Sequence, residues 1–218
     1  MTQTKKPEFD ADVYLKTAGI GRRVVQFHNG QALFAQGDPA NCVFYLHDGK
    51  VKISVVSPAG KEATIRLIGA GAFFGEKAMQ ETPGRRVTTA TALTECSVLR
   101  IARDEFIRVV RDEPSFSFLF SSFLLESGLM TQANLVDQLF NRAEKRLARL
   151  LLMLAESSRP GEDVTLIPQI SQEALANMIG STRPRVSEFM NRFRKLGFIE
   201  YDNRIRVHKS LLNVFLRD

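Results

Sequence analysis

Apolar and polar positions alternate in short runs through the first hundred residues and recur three and four apart beyond them. Val24–Phe27, Ala32–Ala35, Val43–Leu46, Lys50–Ser57, Glu62–Leu67 and Thr88–Ile101 read as strands, with clear alternation in Lys50-Val51-Lys52-Ile53-Ser54-Val55 and Thr64-Ile65-Arg66-Leu67. His28-Asn29-Gly30, Gly37-Asp38-Pro39, Asp48-Gly49, Pro58-Ala59-Gly60 and Gly69–Gly71 supply the turns. Short antiparallel strands in this number predict a barrel or jelly roll. From Asp104 the pattern is helical: Arg103–Arg111 is a short helix, and Pro114 suits the first turn of a longer one reaching Phe140.

The longer helix carries Phe116, Phe118, Phe120, Phe123, Leu124, Leu125, Leu129, Met130, Leu135, Val136, Leu139 and Phe140. One contact with the β-domain does not cover so much apolar surface, so a second copy of the chain is the expected partner. Ser121, Gly128 and Thr131 interrupt any strict heptad in this reading.

Further on, Ile170 or Ser171 opens a helix with Leu175, Met178 and Ile179 on its inner face, and Gly180 ends it. Ser181 or Thr182 then caps a second helix. Pro184 fits its first turn, and Val186, Phe189, Met190 and Phe193 form its buried face. Arg183, Arg185, Ser187, Glu188, Arg192 and Arg194 point elsewhere. The pattern predicts a helix-turn-helix with a basic recognition helix. Gly197, Phe198, Ile199 and Tyr201 lead through Asp202-Asn203 into Arg204–Val207, a small hairpin or wing.

Charge supports contact with double-stranded DNA. Residues 139–218 hold 14 Lys+Arg against 9 Asp+Glu, net +5, whereas residues 1–138 hold 16 against 15, so the chain's total of +6 is concentrated at one end. The first residues lack an apolar run behind Lys5 and Lys6, which predicts a cytoplasmic protein with no membrane association. Cys42 and Cys96 stand alone in apolar strands and read as buried, reduced core residues; His28, His47 and His208 are scattered. No nucleophile elbow, P-loop or metal-ligand cluster argues for an enzyme. A ligand-binding module whose helical tail docks on protein is the remaining rival, and the localised charge disfavours it.

One further motif carries chemistry: Phe73-Phe74-Gly75-Glu76-Lys77-Ala78-Met79, followed by Pro83-Gly84-Arg85-Arg86-Val87-Thr88-Thr89. A glycine admits close approach of backbone to a ligand, a carboxylate accepts from a ribose hydroxyl, and an arginine pairs with a phosphate. Taken with the strands before it, the long helix and the winged helix-turn-helix after it, this order resembles the Crp/Fnr superfamily of bacterial transcription regulators.

The resemblance spans about Val24 to Val207 and implies an α+β protein. It would comprise an N-terminal β-roll like a cyclic-nucleotide-binding jelly roll over residues 1–113, a dimerisation helix over 114–140 and a C-terminal winged helix-turn-helix over 141–218. It also implies a homodimer on a near-palindromic DNA site, with RNA polymerase as a further partner. Gly75, Glu76 and Arg86 match the family's phosphate-binding cassette, with Arg85, Val87 and Thr88 beside it. Thr131 falls where cyclic-AMP-binding members have a threonine that reaches the adenine. Lys77, Val87 and Gln132 depart from the family pattern, so the implied effector stays open among cyclic AMP, cyclic GMP, a cyclic dinucleotide, another small anion and none. The four-cysteine iron–sulfur cluster of the family's oxygen sensors is excluded by a cysteine count of two. Arg183 matches a DNA-contacting arginine of the family, while Pro184 and Glu188 depart from it. Arg183 and Glu188, with Ser187, are therefore expected at base edges, and Thr182, Arg185, Arg192 and Arg204 at phosphates.

Overall fold

In the computed structural model the alternating runs pair into two four-stranded sheets, and the described residues form six α-helices, of which the sequence pattern names four and leaves out Ala11–Lys16 and Ala143–Ala155. The structure describes residues 9–80, 82, 84–155, 164–201 and 204–212. Contacts divide the chain into two compact units, Met1–Ile53 with Leu67–Leu129 and Ser54–Arg66 with Met130–Asp218.

The first element is one the sequence pattern did not reveal, α1 (Ala11–Lys16). Asp10 caps it by accepting from the Asp12 and Val13 amides. The strands follow: β1 (Arg22–Phe27), β2 (Ala32–Phe34), β3 (Cys42–Asp48), β4 (Val51–Val56), β5 (Glu62–Ile68), β6 (Phe73–Phe74), β7 (Thr89–Ala92) and β8 (Cys96–Ala102). One sheet has the order β1-β8-β3-β6 and the other β2-β7-β4-β5. The run Thr88–Ile101, expected as a single strand, is two strands in different sheets. Between them the Thr94 hydroxyl accepts from the Lys50 amide and the Leu93 amide donates to the Lys50 carbonyl, so local bonds replace the ladder where the chain changes sheet.

Alternation sorts the first sheet's residues onto two cores. Cys42, Phe44, Leu46, Phe74, Cys96 and Val98 join Phe34, Val51, Ile53, Ile68, Ala90 and Ala92 in a cluster within the roll. Val43, Phe73, Leu99 and Ile101 face the other way, where Tyr14 and Leu15 of α1, Phe106 and Val109 of α2 (Arg103–Asp112) and Phe116 and Phe120 of α3 (Pro114–Phe140) cover them. Both cysteines are buried thiols.

Helix α3 has 27 residues, about 40 Å. Phe123 still packs on the core, and after it the large apolar residues turn outward, as Phe118 does earlier. Phe118, Leu125, Leu129, Val136 and Leu139 are 76%, 66%, 57%, 53% and 67% exposed. With Ser122 and Gln132 they form an unbroken alternation of four- and three-residue steps, 118-122-125-129-132-136-139. Ser121, Gly128 and Thr131 lie off this row, Ser122 and Gln132 are polar positions within it, and Leu124, Met130 and Leu135 are exposed beside it.

The second unit holds the last turns of α3, then α4 (Ala143–Ala155), β9 (Val164–Leu166), α5 (Gln172–Ile179), α6 (Arg183–Lys195), β10 (Ile199–Tyr201) and β11 (Ile205–His208). The small sheet has the order β10-β11-β9, with Ile199 opposite Val207 and Tyr201 opposite Ile205. The expected turn Asp202-Asn203 lies outside the described residues, as does Pro83. The Ser171 hydroxyl caps α5 by accepting from the Ala174 amide at 3.1 Å, and Gly180 closes it at φ +61°. Alanine at Gly180 would meet Gln138 at only 3.4 Å, so its penalty is backbone strain of about 1–2 kcal/mol. Gly180→Ala is therefore expected to lower the thermal unfolding midpoint by about 2–8 °C at about 2–4 °C per kcal/mol, measured by calorimetry.

Candidate functional site

Two sets of residues converge, one in each unit. In the β-roll, Phe74 ends β6 and Gly75 follows in the left-handed region at φ +77°. A Cβ there would stand 2.7 Å from the Arg86 Nη1, so this position needs glycine both for its backbone and for the arginine against it. Glu76 opens a 3-10 turn, Glu76–Met79, and is half-buried, as is Lys77.

Arg86 is 4% exposed. Its Nη1 donates to the Gly75 carbonyl at 2.8 Å, and its Nη2 donates to the Cys42 carbonyl at 2.6 Å with the Cys42 Sγ at 3.3 Å. The guanidinium lies 4.3 Å from the centre of the Phe34 ring, which stacks with Phe44, itself stacked on Phe74. Its buried Nε has no hydrogen-bond partner. Burial lowers the proton affinity of the group, and Cys42 and then Glu76 offset that in part. Arginine nevertheless remains charged. The result is a buried cation held by two carbonyls and a thiol sulfur, with its Nε–H unspent.

The other candidates around it are placed differently. Arg85 is exposed and donates from Nη1 to the Gly37 carbonyl at 2.8 Å. Val87 is 54% exposed and Thr88 is half-buried. Thr131 is exposed on α3, in the second compact unit.

In that unit, α6 buries Val186, Met190 and Phe193, leaves Phe189 half-buried, and presents Arg183, Arg185, Glu188 and Arg192 to solvent with Ser187 half-covered. Thr182 occupies the N-cap, but its hydroxyl makes no capping bond. Pro184 at the second helical position has removed one of the two amides such a hydroxyl serves. Arg204 is exposed at the start of the second wing segment. Arg192 also reaches the Glu144 carboxylate at 3.2 Å, an exposed pair that water and salt weaken.

These two sites match known domains. Residues 24–113 match the cyclic nucleotide-binding domain and residues 145–210 the Crp-like helix-turn-helix domain. The CRP-like cAMP-activated global transcriptional regulator of Mycobacterium tuberculosis is 29% identical over 182 residues, 83% of this chain and 81% of that one. The chain belongs to the Crp/Fnr superfamily of transcription regulators. Solved structures share the fold. A CRP/FNR-family regulator from Thermus thermophilus superposes with a TM-score of 0.74 at 21% identity, over 89% of this chain and 97% of that one. The c-di-GMP responsive global regulator CLP of Xanthomonas campestris does so with 0.72 at 19%, over 87% and 94%.

This Crp/Fnr regulator also uses residues that no sequence motif singles out. The Arg146 Nε donates to the Ile179 carbonyl at 3.0 Å and its Nη1 to the Asn141 carbonyl at 2.7 Å. One side chain of α4 thus ties the end of α5, where the helix-turn-helix turns, to the segment leaving α3. Asn141 in turn donates to Asp137 at 2.6 Å, and Arg149 lies 3.6 Å from the same carboxylate. An arginine within an amphipathic helix carries no signal of this kind in sequence, because its acceptors are backbone atoms 5 and 33 positions away. No helix among the described residues is long and apolar enough to cross a membrane.

Proposed function

We propose that this transcription regulator works in the cytoplasm as a homodimer whose β-rolls bind an anionic effector, a cyclic nucleotide or cyclic dinucleotide, on Arg86. The observation that carries the reading is the Arg86 guanidinium: buried, hydrogen-bonded to carbonyls rather than to a carboxylate, and with a partnerless Nε. A phosphate supplies a full countercharge and the missing acceptor together. Gly75 lets the ligand come close, Glu76 accepts from the sugar, and the Val87 and Thr88 backbone borders the phosphate, with Arg85 adding positive potential at the rim. Thr131 contributes from the dimerisation helix. Residues 1–113 act as the sensor, 114–140 as the dimer helix and 141–218 as the DNA reader, and the DNA-bound dimer engages RNA polymerase.

In the mechanism, effector binding shifts the packing of the paired helices and turns the DNA-binding domains through the segment Asp137–Asn141, where Arg146 carries the movement to the recognition helix. Calorimetric titration with cyclic AMP, cyclic GMP and cyclic di-GMP tests the reading. Saturable binding of one of them, accompanied by a change in DNA affinity, is expected. Binding that leaves DNA affinity unchanged overturns the coupling.

A second reading, a regulator that needs no effector, has its own observation: the Gly75 and Cys42 carbonyls already hold Arg86 by two hydrogen bonds. Absence of heat with all three ligands and full DNA affinity without them would select it.

On DNA, Arg183 and Glu188 read base edges with Ser187 assisting, and Thr182, Arg185, Arg192 and Arg204 hold phosphates. Arg183→Ala is expected to cost about 1–3 kcal/mol and relax preference at one base pair of each half-site, measured by fluorescence anisotropy on a panel of duplexes. An equal loss on random duplex would make Arg183 a phosphate contact.

A further inference from the structure

Three arginines converge on the inner face of the sheet β1-β8-β3-β6. Arg23 of β1 lies directly opposite Arg100 of β8, and Arg100 lies opposite Phe44 of β3. Alternation places Arg23 and Arg100 on the side of Phe44, since Cys96 and Val98 belong to the cluster within the roll while Leu99 and Ile101 belong to the other one. Arg86 reaches the same place from its own loop, its guanidinium 5.8 Å from the centre of the Phe44 ring. After burial, which lowers the proton affinity of Arg86 most, and against Cys42 and Glu76, which raise it, Arg100 lowers it slightly further.

The fold itself gives no reason for such a row. Like charges directly opposite each other on neighbouring strands destabilise a sheet. Arg100 is half-buried, and its hydrogen bond is to an amide, Asn41 Oδ1 at 3.3 Å. Among the described residues no ion pair joins Arg23, Arg86 or Arg100 to a carboxylate. A single phosphodiester on Arg86 would leave the Arg23–Arg100 repulsion in place. Arg100 and Arg23 stand on strands one and two spacings from β3, about 5 and 10 Å, a reach suited to a second phosphate rather than to the same one.

We infer that Arg100 and Arg23 form a second anion subsite continuous with Arg86, and that the effector carries two phosphate groups. This rests on Arg86 being the effector arginine. A cyclic dinucleotide and a linear dinucleotide with a terminal phosphate share the required chemistry.

The test is calorimetric titration of the full-length protein and of its Arg23→Gln/Arg100→Gln double variant with cyclic AMP, cyclic di-GMP and linear 5′-phosphorylated GpG. The wild type is expected to bind at least one of the two-phosphate ligands tenfold or more tighter than cyclic AMP. The double variant should lose about tenfold for that ligand and less than twofold for cyclic AMP. Its thermal midpoint without ligand should equal or exceed that of the wild type, because the substitutions remove a repulsion, so a loss of affinity is not a loss of fold. Whichever arm responds, cyclic or linear, identifies the source of the two phosphates. Cyclic AMP binding as tightly as both two-phosphate ligands, or a double variant that weakens all ligands alike or none, overturns the second subsite while leaving Arg86 as the effector arginine. Binding of none of the three removes the Arg86 reading and this inference with it.

Discussion

Replacing Leu129 with aspartate should convert the dimer to monomers at micromolar concentration. Leu129 is 57% exposed and lies in the middle of the row 118-122-125-129-132-136-139, so in the proposed homodimer a second copy of α3 would cover it. Burial of each leucine side chain contributes about 1.5–3 kcal/mol, and both copies lose it at once. At about 1.4 kcal/mol per factor of ten, the dimer dissociation constant should rise at least a hundredfold, before counting two carboxylates forced against each other. Sedimentation velocity reads the mass directly. Affinity for a near-palindromic duplex should fall in parallel, because a monomer engages one half-site only. Met130→Asp provides the contrast: Met130 is 49% exposed but sits one position off the row, and its replacement should cost less than tenfold. Equal effects at the two positions would show that the dimer uses another face of the helix.

Arg86→Ala should weaken effector binding about thirtyfold or more, the loss expected when one partner of a buried charge-assisted contact is removed. The change also leaves the Gly75 and Cys42 carbonyls without their donor and opens space beside Phe34 and Phe44, so some loss of stability accompanies it. Arg86→Lys separates the two effects. A lysine keeps the charge but lacks the planar fork that spans both carbonyls and still presents a donor to a phosphate. The lysine variant is therefore expected to retain the fold and bind with intermediate affinity. If Arg86→Ala melts at the wild-type temperature and still responds to effector, Arg86 is not the effector arginine. A thermal midpoint for Arg86→Lys close to wild type, with effector affinity reduced tenfold or more, would show that ligand geometry and not charge alone sets the affinity.

The two-period pattern, the turn glycines and the basic helix were enough to place nine of the eleven strands among the described residues, β7 and β8 as one run, with the short and long helices after them and the helix-turn-helix, because each of those elements carries its own signal. Alternation in Val51–Val56 marks a half-buried strand, and Gly180 marks a helix end by tolerating φ +61°. Elements too short or too dependent on neighbours gave no such signal. Strand β6 is two residues long, β9 three, and α1 six, and each exists because another element is there to pair with or cover it. The division of Thr88–Ile101 into two strands was illegible for the same reason: the break is made by bonds to Lys50, more than forty positions earlier.

The chain by itself determined which chemical groups the sites would contain. Gly75, Glu76 and Arg86 are expected as a phosphate-binding set through the family resemblance that their motif carries, and Arg183, Arg185, Ser187, Glu188 and Arg192 on one helix, with Arg204 on the wing, as a DNA-reading set from charge and that same resemblance. Only the tertiary structure decided their condition. It buried Arg86 among carbonyls and aromatic rings with a donor unspent, aligned Arg23 and Arg100 across two strands, fixed the phase of the exposed row on α3, and drew Arg146 onto the backbone of Ile179. Local pattern encodes propensity and amphipathicity, which act over a few residues. Burial, register and hydrogen bonds to distant carbonyls depend on which surfaces meet, and that is settled when the whole chain packs.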